Sequence, residues 1–365
     1  MPFFKQITGL SAIFLLLLSG RFLDASPLRF GFSGSLSGHF GSYGLMITRG
    51  IQAAFSCHPY TLEGKKEHAA LICMDDKGDA AITKSNLLTM KKDGIDSFIG
   101  IMGTRGVEQM LPLMQKQEVA IYFPWGSNQA LQNPKLSTIV NALGLVEPQI
   151  NQLINFIIDE KKLENIALFH ADDSFSTNLM KHCKEHLTSK GKEPILIAHY
   201  NRYTLDFGKS LAALCNVDPR AIICISTSMP AVKIINLLFR KGFYGCTFFG
   251  IDSTFLVPEI LATKGVPFSY SACVPSPTTS TIAIAQQYRK DLAMCYPDES
   301  PTILSFAYYI GARLLIDAIN RAQDPNKLSV IKALESLREH DFHGFMVNFN
   351  PKNRYLFGHQ TWLLP

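Results

Sequence analysis

From residue 29 onward, short apolar runs alternate with stretches whose apolar positions recur every three or four residues, the pattern of a chain that alternates strand and helix. Residues 29–32 read as a strand, 33–44 as a loop rich in Gly and Ser, and 45–55 as a helix. The unit recurs. Strand 69–74 leads through Asp75-Asp76-Lys77-Gly78-Asp79 to helix 80–92, and strand 97–101 leads through Gly103-Thr104-Arg105-Gly106 to helix 107–116. Strand 119–123 ends in Pro124-Trp125-Gly126-Ser127. A second round begins near Leu143, with helix 149–161, strand 166–169 running into His170-Ala171-Asp172-Asp173-Ser174-Phe175, and helix 177–190. Strand 195–200, helix 207–215, strand 221–225 ending in Ser226-Thr227-Ser228, helix 231–241 and strand 247–250 before Asp252-Ser253 complete it. The alternation predicts an α/β fold with mainly parallel sheets, and its repetition predicts two lobes.

The segment ahead of this is of another kind. Lys5, the apolar run 7–18 and Leu23-Asp24-Ala25 make residues 1–25 a cleavable signal peptide, and the run is too short to span a bilayer comfortably. No cysteine lies near the cleavage point and no later run of about twenty apolar residues follows. The mature chain, from Ser26, is therefore expected to be exported, soluble and without a lipid anchor. The net charge of +5 comes without a block of five or more basic residues, so a nucleic-acid partner is not expected. Eight cysteines without a CxxC argue against a zinc ribbon or a thioredoxin-type pair. Export permits disulfides, and Cys57 with Cys73 is the first pair to test, because a helix end and the next strand could adjoin. Cys224, inside AIICIS, reads as a buried thiol.

In parallel α/β sheets ligands bind beyond the carboxyl ends of the strands. Those ends carry residues 33–37, Thr104, Ser127, Asp173, Ser226, Thr227, Asp252 and Ser253, with Tyr43, Trp125 and Phe175 nearby. Hydroxyls and helix N-terminal amides suit a carboxylate, an aspartate suits an ammonium and aromatic rings suit an apolar body, a set that fits a small zwitterion. Each residue alone also fits a helix cap, and the loop 33–44 alone also fits a tight surface turn; their repetition at successive strand ends favours ligand contact. There is no GxxxxGK[ST], no well-placed GxGxxG and no GxSxG. His182, Cys183 and His186 sit at helical spacing in KHCKEH, but with no further ligand in view they read as a solvated face. No local motif ties a Ser or Cys to a base, so neither catalysis nor a metal or other cofactor is expected.

Several motifs, in order along the chain, resemble the type I periplasmic binding proteins of ABC transporters, in particular the leucine/isoleucine/valine-binding branch. LSGHFGSYG is similar to that family's first ligand loop, LTGPxAxxG, with Ser37 for Thr and His39 for Pro. IGIMGTRGVEQMLPLMQKQEVAIYFPWGSNQAL corresponds to its second and third loops. HADDSFSTNLMKHCKEHLTSKGKE resembles the start of its second lobe, with Ser176 in place of the usual glycine. CVPSP resembles the segment crossing back to lobe one, and PTILSFAYYIGARLLIDAIN the long helix after it.

The resemblance implies a two-lobed fold, each lobe a mainly parallel sheet flanked by helices, joined by three crossings placed near Leu143, Pro275 and Gly344. Lobe one is then 26–143 plus 276–343, and lobe two 144–275 plus 344–365. It further implies a non-enzymatic, monomeric, periplasmic substrate-binding protein that closes on an amino acid or related small polar solute and delivers it to ABC permease subunits. Ser37, Tyr43, Gly103, Thr104, Trp125, Gly126 and Ser127 would hold the solute from lobe one, and Phe175, Thr227 and Asp252 from lobe two. Arg105 stands where many members have Ser or Thr, and in the cleft it would pair with an extra acidic group on the ligand. A ligand sensor that signals to a membrane receptor is the alternative the same fold allows.

Overall fold

The apolar runs become strands because they are covered on both faces. Ile166–Ala171 and Ala221–Ile225 are buried at every position, as parallel strands sandwiched between helices must be. The computed structural model describes residues 27–126, 131, 133–143, 146–201, 204, 206–254, 265–322, 324–357 and 360–364. The signal-peptide reading and Ser127 therefore lie outside the described residues.

Two six-stranded sheets organise the chain. The first runs Tyr355–Phe357, Ile139–Leu143, Ala120–Tyr122, Ser97–Ile99, Arg29–Gly34, Ala70–Asp75, parallel throughout. The second runs Trp362–Leu364, Phe268–Ala272, Thr247–Ile251, Ala221–Ile225, Ile166–Ala171, Leu196–Tyr200, parallel except for its first member. In the second sheet Ile222 and Cys224 enter one apolar cluster while Ala221, Ile223 and Ile225 enter another. Period-two alternation thus serves two buried faces. The α/β, two-lobed expectation is met.

The chain leaves the first sheet at the carboxyl end of Ile139–Leu143, returns from the carboxyl end of Phe268–Ala272, and leaves the first sheet again after Tyr355–Phe357. Trp362–Leu364 pairs antiparallel with Trp362 opposite Ala272, so it too arrives at a carboxyl end. Passages that all use the carboxyl edges put the strand-end loops of both sheets on the side where the chain crosses.

The last passage does not lie near Gly344. That glycine, at φ +88°, follows His343 at φ +56° in the two-residue turn of the hairpin His340–Phe342 and Phe345–Val347, a pair of left-handed residues that hairpin turns require. The change of sheet comes between Phe357 and Trp362, so the strand Tyr355–Phe357 belongs with the first sheet and not with lobe two.

The first lobe is built round the helix Ile303–Arg321. It is long and apolar enough to cross a membrane, but it is buried in the core. Thr302 starts it with a reciprocal cap, its hydroxyl accepting from the Ser305 amide at 3.1 Å while the Ser305 hydroxyl accepts from the Thr302 amide at 3.3 Å. Its main neighbour is the helix Gly41–Cys57, which begins one turn before the predicted residue 45. The predicted helix 107–116 is two short helices, Thr104–Glu108 and Leu111–Gln115. Pro112 sits in the first turn of the second, where its missing N–H costs nothing. No two of the eight cysteines are bridged in this structure, Cys57 and Cys73 included, and the sulfur against Cys57 is that of Cys295.

Candidate functional site

At the carboxyl end of Arg29–Gly34 the chain turns under two aspartates. Asp76 is 1% exposed, and its carboxylate accepts from the Ser33 hydroxyl at 3.2 Å, the Thr83 hydroxyl at 2.8 Å and the Gly78 amide at 2.9 Å. A buried carboxylate so supplied is tolerable, and it fixes the start of the loop. Asp75 takes the next step, accepting from the Leu36 amide at 2.9 Å and the Ser37 hydroxyl at 2.5 Å. The Ser37 hydroxyl thus donates to Asp75 and shapes the loop. Hydrogen bonds, that of Ser37 first and those of the Leu36 and Lys77 amides with it, hold the Asp75 carboxyl down at about 2. Its folded value lies below the unfolded one, so the clasp is complete above about pH 4 and is lost as pH falls through 2. The Leu36 amide resonance is expected to titrate with that low midpoint, and a midpoint of an ordinary aspartate would disprove the clasp.

The loop is pressed on the following helix. A Cβ on Gly44 would lie 1.9 Å from the Ser35 carbonyl oxygen, so only glycine lets the helix start this close. Beside it, Tyr43 is buried and stacks on Trp125, with ring centroids 5.2 Å apart and planes 19° apart. Trp125 is half-buried. Its amide donates to the Ile101 carbonyl at 2.8 Å, and its carbonyl accepts from the Gly103 amide at 2.9 Å, which locks two strand-end loops together. Gly103, at φ +88° and with open space where a Cβ would be, turns the chain into Thr104–Glu108.

Among the described residues the Thr104 and Arg105 amides have no backbone acceptor, as the start of a helix dictates. Gly126 lies over the first of them, and a Cβ there would stand 2.6 Å from the Thr104 nitrogen. Only glycine lets the two loops approach this closely. The structure brings Tyr43, Gly103, Thr104, Trp125 and Gly126 together. Arg105 is exposed beside them and makes no ion pair among the described residues.

On the facing edge Asp173 caps the helix Ser174–Ser189, accepting from the Ser176 amide at 2.9 Å and the Ser176 hydroxyl at 3.2 Å. The departure from glycine at 176 is thereby put to use as a second cap contact. Phe175, in the same turn, is 51% exposed. Thr227 precedes the helix Ser228–Arg240 and its hydroxyl makes no capping bond. Met229, in the first turn of that helix, is 49% exposed. Nothing in the apolar pattern of 228–240 marks Met229 as standing outside the core.

Asp252 departs from its expected role. It is 7% exposed, and its carboxylate accepts from the Gln149 side chain at 3.1 Å and the Ser253 amide at 2.6 Å. Burial raises its pKa against the opposing bonds from Cys273, Gln149 and Ser253. It ties the helix Glu147–Asn155 to the strand end, each carboxylate oxygen already accepting a bond from within the chain. Nearby, the buried Tyr308 hydroxyl has no partner among the described residues, and burial raises its pKa.

His182 and His186 do share a helix face, rings 6.4 Å apart and 16° from parallel. That face is half-buried and not solvated: their Nε2 atoms lie 2.9 and 3.1 Å from the Oδ1 atoms of Asn151 and Asn155. Each ring donates to a helix–helix contact, while Cys183 points into the core. No cluster of three metal-ligating side chains occurs among the described residues.

A search of curated protein sequences returns no match. Among solved structures, the chain is similar to a possible leucine/isoleucine/valine-binding protein from Rhodopirellula baltica, at 21% identity and TM-score 0.78 over 94% of this chain and 95% of that one. It is similar to a leucine-binding protein from Thermotoga maritima, at 16% identity and TM-score 0.75 over 92% and 94%. A solute-binding protein of an ABC transporter from Rhodopseudomonas palustris, in complex with p-hydroxybenzoic acid, matches at 16% identity and TM-score 0.78 over 93% and 92%. At these identities the likeness is one of fold. The family description "Periplasmic binding protein" matches residues 27–363 of the sequence, and the chain belongs to that family.

Proposed function

We propose that the protein is the extracytoplasmic, non-enzymatic substrate-binding component of an ABC importer. It takes a small carboxylate-bearing solute, an amino acid or related acid, between its lobes and presents the closed form to permease subunits. The observation that carries this is the stacked Tyr43–Trp125 pair beside the Thr104 and Arg105 amides, which have no backbone acceptor among the described residues. A carboxylate is met by the amides and the Thr104 hydroxyl, and an apolar or aromatic body by the indole. Phe175 and Met229 supply apolar surface from the other lobe.

With Asp252 committed to Gln149 and Ser253, the ammonium of a zwitterion has no assigned partner. The reading therefore rests on the carboxylate and the apolar body. The Rhodopirellula and Thermotoga neighbours, named for branched-chain amino acids, and the Rhodopseudomonas neighbour, which holds a hydroxybenzoic acid, support a ligand that joins a carboxylate to an apolar body.

The test is a thermal-shift and calorimetric screen of leucine, benzoate, 4-hydroxybenzoate and their uncharged amides. A binder at a hundred times its dissociation constant adds about 2.7 kcal/mol of stability. Trp125→Ala is expected to weaken it by about tenfold or more. Acids and amides binding alike, or an unaltered Trp125→Ala, would remove the amide-and-indole site. Stimulation of permease ATPase activity by the loaded protein tests the importer role separately.

A further inference from the structure

Outside the strand-end loops, the most unusual chemistry lies where two helix ends meet on the first lobe. The helix Gly41–Cys57 and the helix Ala283–Cys295 each end on a cysteine, and the two sulfurs are 3.7 Å apart although 238 residues separate them in sequence. Both cysteines are partly exposed.

The approach is held by a row of contacts joining the same segments. His58 Nε2 lies 2.6 Å from Asp291 Oδ2, one turn before Cys295. The Tyr296 hydroxyl donates to Gln52 Oε1 at 2.6 Å, Arg49 pairs with Glu299 at 2.6 Å, and the Arg49 guanidinium lies over the Tyr296 ring at 5.8 Å. Thiols held between such anchors stand 3.7 Å apart, against the roughly 2.05 Å of a sulfur–sulfur bond.

We propose that Cys57 and Cys295 form a disulfide that staples together the two chain segments, one on each side of the second lobe in sequence, from which the first lobe is built. Family membership places the chain outside the cytoplasm, where thiols oxidise. The oxidant is a disulfide-bearing exchange partner. One cysteine thiolate attacks a sulfur of that disulfide and expels a thiolate; the second cysteine thiolate then attacks the mixed disulfide and expels the other. The two cysteines lose two protons and two electrons, and the oxidant becomes two thiols.

Burial first, then the Cys295 thiol and the Asp291 charge, push the Cys57 thiol up to about 12, which makes it a slow nucleophile once folded. Cys73 is not placed against either sulfur: it touches no other thiol among the described residues.

The test is to refold the full-length chain from the reduced state with oxidised glutathione, block free thiols, digest without reduction and map the peptides. The expected product joins the Cys57 and Cys295 peptides, two hydrogen masses below their sum, and separates on reduction. The oxidised protein is expected to melt about 5 °C or more above the reduced one. Cys57→Ser and Cys295→Ser should each abolish that difference, whereas Cys73→Ser should keep it. Blocked Cys57 and Cys295 after oxidation, or a Cys57–Cys73 peptide, would overturn the proposal. The wild-type map decides even if a serine variant fails to fold.

Discussion

Gly50→Ala is expected to destabilise the protein by about 2–3 kcal/mol, although alanine is the better helix former. Gly50 lies in the helix Gly41–Cys57 where that helix crosses the start of Ile303–Arg321. A Cβ there would stand 2.0 Å from the Ser305 carbonyl oxygen, 2.9 Å from its carbon and 3.1 Å from its Cα. All three are backbone atoms of a capped first turn, whose reciprocal Thr302–Ser305 bonds and short Tyr288–Ser305 contact at 2.5 Å leave no soft side chain to move. The helices must part by an ångström or more, and the buried Ile47, Ile51, Phe306 and Ile310 lose contact with them. Alanine returns about 1 kcal/mol of helix propensity, which the separation outweighs. Urea unfolding of wild type and variant measures the balance, and a variant as stable as the parent would mean that the crossing is looser than described.

That crossing also shows where sequence reading stops. Residues 80–92 are legible because everything that forms the helix is local: Asp79 accepts from the Ala81 amide at 2.7 Å and from that of Ile82, and apolar spacing does the rest. The strand Ile139–Leu143 is not legible, since Asn141 interrupts its apolar run. The Asn141 amide is satisfied by the Arg354 carbonyl at 2.8 Å, in a segment more than two hundred residues on. The same partner places Tyr355–Phe357 in the first sheet and moves the final crossing away from Gly344. Within the candidate site, residue types at strand ends pointed to loops that the fold does place at the carboxyl edges of the two sheets, but not to which polar groups are already engaged within the chain. Ser37 goes to Asp75 and Asp252 to Gln149, pairings across 38 and 103 residues that no local window contains. The rings of Tyr43 and Trp125 were visible as aromatics near strand ends. Their stacking needed the hydrogen bonds that tie 101–103 to 125.

The second large effect is expected at Asp291, which is 3% exposed and gathers a polar cluster behind the first lobe's central helix. Its Oδ2 accepts from the Tyr309 hydroxyl at 2.5 Å and lies 2.6 Å from His58 Nε2, while Oδ1 accepts from Gln287 at 2.8 Å. Arg313 completes the cluster by donating to the Tyr309 oxygen at 3.0 Å. Asp291→Ala removes the carboxylate that accepts from Tyr309 and Gln287 and pairs with His58, in a cluster that also holds the Arg313 guanidinium, a loss of about 3 kcal/mol.

The pH dependence separates charge from shape. Burial by itself raises the Asp291 pKa, but the bonds from His58, Tyr309 and Gln287 outweigh it and hold the carboxyl below its ordinary value. A depressed folded pKa means that this stabilisation is fully present above the unfolded value, about 3.9, and is lost as pH falls through the folded one. Asp291→Asn keeps the volume and loses the charge. It should therefore be less stable than wild type at neutral pH, and its stability should fall less on acidification below about pH 4, so that the two curves converge. Curves that stay parallel through that range would show that the Asp291 carboxylate does not bear the acid sensitivity assigned to it, whatever the cost of the substitution at neutral pH.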